Sequence, residues 1–143
     1  MDFLTALHLS STGLTAQRTA MNVIATNLAN VNTTRTPEGT PYRRQIAIME
    51  ARPMHNFGSV LNAQVEAMSG VQVGDIVQEA TPFRKVYNPG HPDADESGYV
   101  SFPNVNVVTE TADLMVARRS YEANVTAISV TKKMALKALQ IGK

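Results

Sequence analysis

Leu7, Leu14, Met21 and Leu28 recur every seven residues near one end of the chain, and Leu114, Tyr121, Ile128 and Ala135 do so near the other. A seven-residue apolar repeat lies on one stripe of an α-helix and requires a facing helix to cover it. Leu4, Ile24 and Val31 each stand three residues from a member of the first series and share its stripe. Val125 and Leu139, four residues beyond Tyr121 and Ala135, join the second. The spacing predicts a helix over roughly residues 3 to 30, about 40 Å long at 1.5 Å per residue, and a second over the last third. Pairing the two ends of the chain as an antiparallel coiled coil is the simplest way to bury both stripes. The expected fold is mainly α with a small β insert. Residues 1–34 and 107–143 form the paired terminal helices, and 35–106 form a β-rich insert with loops.

The face opposite the first stripe is unusual. It is built from Ser10, Ser11, Thr12, Thr15, Gln17, Thr19, Asn22, Thr26 and Asn27, and Arg18 is the only formal charge from Phe3 to Thr34. Uncharged polar residues pack and hydrogen-bond readily but solubilise poorly. Charged residues make up 17% of the whole chain, against about 25% in ordinary soluble domains, which suggests a surface meant to be covered. Gly13 inside the helix costs about 1 kcal/mol relative to Ala; it marks either a close approach of another backbone or a tolerated defect. In the last helix, Glu110 and Asp113 near the start and Lys132, Lys133 and Lys137 near the end follow the polarity a helix dipole favours, with Gly142 as the cap.

Asn30, Asn32, Thr33, Thr34, Thr36, Pro37 and Gly39 end the first helix. Beyond them, Tyr42 to Met49 and Gly70 to Glu79 alternate β-branched and aromatic residues as half-buried strands do. Pro53 to Ala67 reads as a loop or short irregular element. Phe83 to Tyr87 and Tyr99 to Phe102 are two shorter candidate strands, separated by the turn-rich Asn88-Pro89-Gly90-His91-Pro92-Asp93 stretch. The expected β-module has two to four strands.

Several chemistries are excluded or weakly represented. A net charge of +1 offers no large field for nucleic acid or an anionic membrane. Cysteine is absent, which removes disulfides, thiolate metal sites and Cys nucleophiles. His8, His55 and His91 show no spacing that would place two nitrogens on one metal. Asp93-Ala94-Asp95-Glu96-Ser97-Gly98 resembles the opening of a calcium loop, but its twelfth position is Asn104, not Glu, and Pro89, Pro92 and Pro103 oppose the flanking helices. A structural acidic turn is the favoured reading, and a calcium-binding interaction module is the alternative. Ser129 and Lys132 match Ser-x-x-Lys without its companion motifs. No acid, base and nucleophile converge as a hydrolase would need, so no enzyme is expected. Tyr42-Arg43-Arg44 suits an interface anchor better than a catalytic dyad. With no apolar run of about 18 residues and no signal-like start at Met1-Asp2-Phe3, composition alone would place the chain in the cytoplasm.

One stretch points elsewhere. Ala25-Thr26-Asn27-Leu28-Ala29-Asn30-Val31-Asn32-Thr33 resembles the Asn-rich motif shared by the axial proteins of the bacterial flagellum. Further stretches are similar to the proximal rod proteins within that superfamily. They are Gly39 to Arg44, Val86 to Asp95, Gly98 to Val100 leading into Pro103 to Val105, Arg119 to Val125, and Ala138 to Gly142, and they span nearly the whole chain in order. The resemblance implies a structural subunit exported unfolded through the flagellar type III apparatus and polymerised in the periplasm, with no cofactor. It implies partners as well: copies of the chain, the rod proteins FlgB, FlgF and FlgG, and the rod-to-membrane-ring adaptor FliE. Another rod protein of the same superfamily is an alternative identity.

The resemblance also nominates residues. Asn27, Asn30, Asn32 and Asn124 are expected to hydrogen-bond between elements or subunits, with helix capping as the plainer option. The family-like loops contribute Tyr42, Arg43, Tyr87, Pro89, Gly90, Asp93, Gly98 and Tyr99. The two heptad rows are expected to meet in one seam that supports assembly.

Overall fold

A computed structural model describes residues 3–53 and 69–141, with the backbone alone at Ile141. Helix α1 spans Phe3–Ala29 and helix α2 spans Val107–Ile141, so the helices measure about 40 and 52 Å. Between them lie β1 (Gln45–Pro53), β2 (Ser69–Gln78), β3 (Arg84–Tyr87) and β4 (Tyr99–Phe102). Except for Pro53, which closes β1, the segment expected as a loop over Pro53 to Ala67 lies outside the described residues. So do His55 and the Gly142 cap.

The strands form two separate antiparallel ribbons, β1 with β2 and β3 with β4. In the first, Ile48 faces Asp75 while Met49 faces Val73, so Gly74 is the extra residue of a β-bulge. Glycine fits there because a Cβ would lie 2.5 Å from the Glu50 carboxylate carbon. β1 begins at Gln45 instead of Tyr42. The amide of Tyr42 donates to the Thr33 carbonyl and that of Arg44 to the Asn104 side chain, so both are engaged outside the ladder.

The helices pack side by side and antiparallel. Asn27 bonds to Glu110, and a Cβ at Gly13 would lie 2.9 Å from Asn124 Nδ2. Fourteen residues separate Gly13 from Asn27, and fourteen separate Glu110 from Asn124, so one alignment satisfies both contacts. It sets Ala20 opposite Ala117. The first ribbon leans on α1, where Thr12 Oγ1 accepts from the Val71 amide at 3.3 Å. The dry core is small: Ala16, Val23 and Ala117 on the helices and Val100 in β4.

The helix ends follow from side-chain chemistry. Asn30 closes α1, its side chain and its amide both donating to the Thr26 carbonyl. Asn106 caps α2, its Oδ1 accepting from the amides of Val108 at 3.0 Å and Thr109 at 3.4 Å. Ser10, Thr12, Thr15, Thr19 and Thr26 donate their hydroxyls to carbonyls three or four residues earlier. Much of the uncharged face of α1 is thereby satisfied by its own backbone.

Candidate functional site

The most elaborate side-chain arrangement lies where the end of α1, the start of β1 and the first turn of α2 meet. Asn27 is 1% exposed and Glu110 0%. The Asn27 amide nitrogen donates to the Gln45 carbonyl at 2.8 Å and to Glu110 Oε2 at 2.9 Å. Its oxygen accepts from the Tyr42 hydroxyl and the Gln45 amide, both at 2.9 Å. Two donors and two lone pairs are the full capacity of an asparagine side chain, so nothing on Asn27 is left for water.

Glu110 is anchored on its other side by Arg44, whose Nε donates to Oε1 at 2.5 Å. Arg44 also reaches Glu79 at 3.1 Å and Asp113 at 3.5 Å. Its backbone amide donates to Asn104, and the Asn104 amide group in turn donates to Thr81 Oγ1 at 2.6 Å. Burial works against the guanidinium charge, but the bonds and charges of Glu110 and Glu79 outweigh it and hold its pKa above the ordinary value. Burial, with a smaller push from the Glu110 charge, raises the Tyr42 phenol. The cluster is a clasp: it ties α1, β1, α2 and the segments at 79–81 and 104 into one unit.

Glu110 lies in the first turn of α2, where the helix dipole favours an acid, and is in addition buried and paired with Arg44. Its role has a trace in the sequence, because Glu110, Ala117, Asn124 and Thr131 form a second heptad row offset by four from Leu114, Tyr121, Ile128 and Ala135. A charge on such a row is a candidate for a buried pair. Glu79, Asn104 and Asn106 had no comparable signal.

The other nominated residues fall in different places. Leu7, Leu14, Met21 and Leu28, and likewise Leu114, Tyr121, Ile128 and Ala135, are half-buried. Gly13 and Asn27, the α1 residues that meet Asn124 and Glu110 of α2, stand one position before Leu14 and Leu28. Val125 and Leu139 are exposed instead of lying on the α2 stripe. Asn30 is half-buried at the helix end, Asn32 is exposed, and Asn124 is half-buried against Gly13. Arg43 stacks over the Phe83 ring at 4.4 Å and donates to the Glu79 and Thr81 carbonyls.

The β3–β4 turn is held by its acidic residues. Asp95 Oδ1 accepts from the amides of Ser97 and Tyr99, both at 2.9 Å. Asp93 accepts from the Thr34 hydroxyl at 2.8 Å and faces Arg35 at 3.7 Å, while His91 Nδ1 accepts from the Asp93 amide. Pro89 and Gly90 are exposed at the tip. Tyr87 and Tyr99 meet edge to face at 5.3 Å, and Gly98 turns the chain with φ +78°.

Much of the apolar surface is uncovered. Along α2, Val108 is 78% exposed, Val116 65%, Met134 60% and Leu139 72%; on α1, Leu4 is 68% exposed. No large apolar side chain of α2 is fully buried among the described residues.

Comparison with known proteins gives a consistent picture. Residues 7–35 match the family model described as flagella basal body rod protein, and residues 96–141 match the one described as flagellar basal body rod FlgEFG protein C-terminal. The flagellar basal-body rod protein FlgC of Bacillus subtilis (strain 168) is 44% identical over 146 residues, covering 96% of this chain and 97% of that protein. FlgC of Borreliella burgdorferi is 42% identical, covering 99% of this chain and 98% of its own length. FlgC of Escherichia coli O157:H7 is 38% identical with both chains covered completely.

Proposed function

The chain belongs to the FlgC family of flagellar basal-body rod proteins, and on that premise we propose how it works as a structural, non-enzymatic subunit of the rod. The subunit polymerises in the periplasm within the proximal rod, the drive shaft that passes torque from motor to hook. It arrives through the flagellar type III export apparatus without a cleaved signal. Its neighbours are copies of itself, FlgB, FlgF, FlgG and the adaptor FliE. The terminal helices pair as a coiled coil on the inner side of the tube, and the β insert meets subunits further out. Head-to-tail contacts whose rotation does not close generate such a helical stack.

The observation that carries this reading is the uncovered apolar surface of α2, from Val108 through Val116 to Leu139. Large apolar side chains exposed along the length of a helix are a liability on a free monomer and an asset inside a polymer. The α1 face complements it. With Thr15, Thr19 and Thr26 hydroxyls already bonded to their own helix, burying that face leaves few orphaned donors. Basal-body membership replaces the cytoplasmic address that composition alone suggested.

The heptad rows are assigned to assembly, with Leu7, Leu14, Met21 and Leu28 beside Leu114, Tyr121, Ile128 and Ala135. Leu14→Asp and Tyr121→Asp should each abolish rod assembly, and normal swimming in both mutants would sink the seam. Location is tested by cryo-electron microscopy of basal bodies from cells carrying a tagged copy. Density for the tag outside the proximal rod would count against the placement.

A further inference from the structure

The contact between α1 and α2 poses a problem of alignment. On the alignment set by Gly13–Asn124 and Asn27–Glu110, one row of positions across the contact is small or polar and repeats every seven residues: Ala6, Gly13 and Ala20 on α1, and Ala117, Asn124 and Thr131 on α2. Slide α2 by one heptad, about 10 Å, and Gly13 faces Thr131 while Ala20 faces Asn124. Small residues still meet small residues, so packing alone discriminates poorly between the two alignments. The chain permits the slide, because unwinding the first two turns of α2 would release the seven residues it needs.

The polar cluster does not tolerate it. After the slide Asn27 faces Ala117, its bond to Glu110 is gone, and Arg44 loses the carboxylate it holds at 2.5 Å. A hydrogen bond needs its partner at one distance and angle, whereas an alanine surface does not. A buried polar group that fixes register between helices is the best-attested use of such groups.

We propose that the Asn27–Glu110–Arg44 cluster is a register lock, selecting one alignment of α1 on α2 from heptad-shifted alternatives that the small-residue contact would otherwise accept. This inference does not depend on where the subunit sits in the rod. It accounts for the costly buried charge, since each copy then presents the same offset between its two helices, as a regular polymer requires.

The absence of cysteine allows a direct test on the purified full-length chain. Gly13→Cys with Asn124→Cys reports the observed alignment, and Gly13→Cys with Thr131→Cys reports the shifted one. Intramolecular closure is read as a faster-migrating monomer on a non-reducing gel. With the cluster intact, the 13/124 pair should close and the 13/131 pair should remain reduced. In the Asn27→Leu/Glu110→Leu background, 13/131 closure should appear while helical circular dichroism falls by no more than the two unwound turns of α2. Glu110→Gln, which preserves shape but not charge, should give a smaller gain.

Three results would overturn the proposal. One is failure of 13/124 to close with the cluster intact. Another is continued absence of 13/131 closure in both altered backgrounds. The third is loss of helix beyond those two turns in the leucine background, because the cluster would then hold the helices together instead of choosing between alignments.

Discussion

Asn27 donates a 2.9 Å hydrogen bond to the buried carboxylate of Glu110, joining positions 83 residues apart in the chain. Because the same side chain also serves Gln45 and Tyr42, truncating it strands several buried groups at once. Each unsatisfied buried polar group costs about 1–3 kcal/mol. Asn27→Ala should therefore destabilise the chain by on the order of 3 kcal/mol, read as a lower urea midpoint. Asn22→Ala, on the exposed face of the same helix, should stay within about 0.5 kcal/mol of the parent.

The Arg44–Glu110 pair should respond asymmetrically. Glu110 is 0% exposed at its side chain and Arg44 20%. Arg44→Ala leaves a buried carboxylate without its cation, and removing one partner of a buried pair costs about 3–5 kcal/mol. After Glu110→Ala, the guanidinium still has Glu79 and Asp113 and an edge in solvent, so the loss should be smaller. Thermal unfolding of the two variants gives the order, and equal losses would show that burial of the partner left behind does not decide the cost.

The terminal helices were legible because a heptad row is a local pattern that survives whatever covers it. Tyr99 to Phe102 was legible for a similar reason, as a short β-prone run between a turn and a proline. The clasp was not. The heptad row through Glu110 hints at burial, but nothing in the sequence names its partners, which sit at positions 27 and 44 and meet it only in the folded chain. The α1 contact face was also obscured. Apolar periodicity singles out Leu14 and Leu28, which are half-buried, while it passes over Gly13 and Asn27 one position earlier, which meet Asn124 and Glu110 of α2.

Gly13 offers a test of that close approach. An alanine there gains about 1 kcal/mol of helix propensity, but its Cβ would sit 2.9 Å from Asn124 Nδ2 and 3.3 Å from Asn124 Cγ. Gly13→Ala alone should be neutral or destabilising, and Gly13→Leu should cost about 1–3 kcal/mol as overpacking. Combining Gly13→Ala with Asn124→Ala removes the obstruction, and relative to Asn124→Ala the double variant should be more stable by about 1 kcal/mol. A double-mutant cycle in urea measures the coupling. Additive effects would mean the two positions do not meet.

Gly98 combines two constraints, a φ of +78° and a Cβ position 2.8 Å from Tyr87 Cε2. The left-handed backbone costs a side-chain-bearing residue roughly 1–2 kcal/mol, and the collision adds to it. Gly98→Ala should disturb the edge-to-face packing of Tyr87 on Tyr99 while leaving both helices intact. Near-ultraviolet circular dichroism should lose tyrosine intensity, with the far-ultraviolet helix signal unchanged. A simultaneous loss of both would mean that the β3–β4 ribbon and the helix pair fold as one cooperative unit.

Tyr42 makes stability depend on alkaline pH. Burial, and to a smaller degree the Glu110 charge, raise its phenol above the ordinary 10.0 in the folded chain. An unfolded chain therefore releases the Tyr42 proton at lower pH than the folded one. The folded state binds more protons in that window, so stability falls as pH rises. The contribution of Tyr42 is complete below pH 10.0 and is lost as pH climbs from there through the raised value. Ionisation also turns the hydroxyl from a donor to Asn27 Oδ1 into an anion facing it, in the same direction. In a spectrophotometric titration, the parent should show a late tyrosine phase, above pH 10.0. Tyr42→Phe should lack that late phase and start less stable at neutral pH, because Asn27 Oδ1 loses one of its donors. A late phase that persists in Tyr42→Phe would assign the effect to another tyrosine.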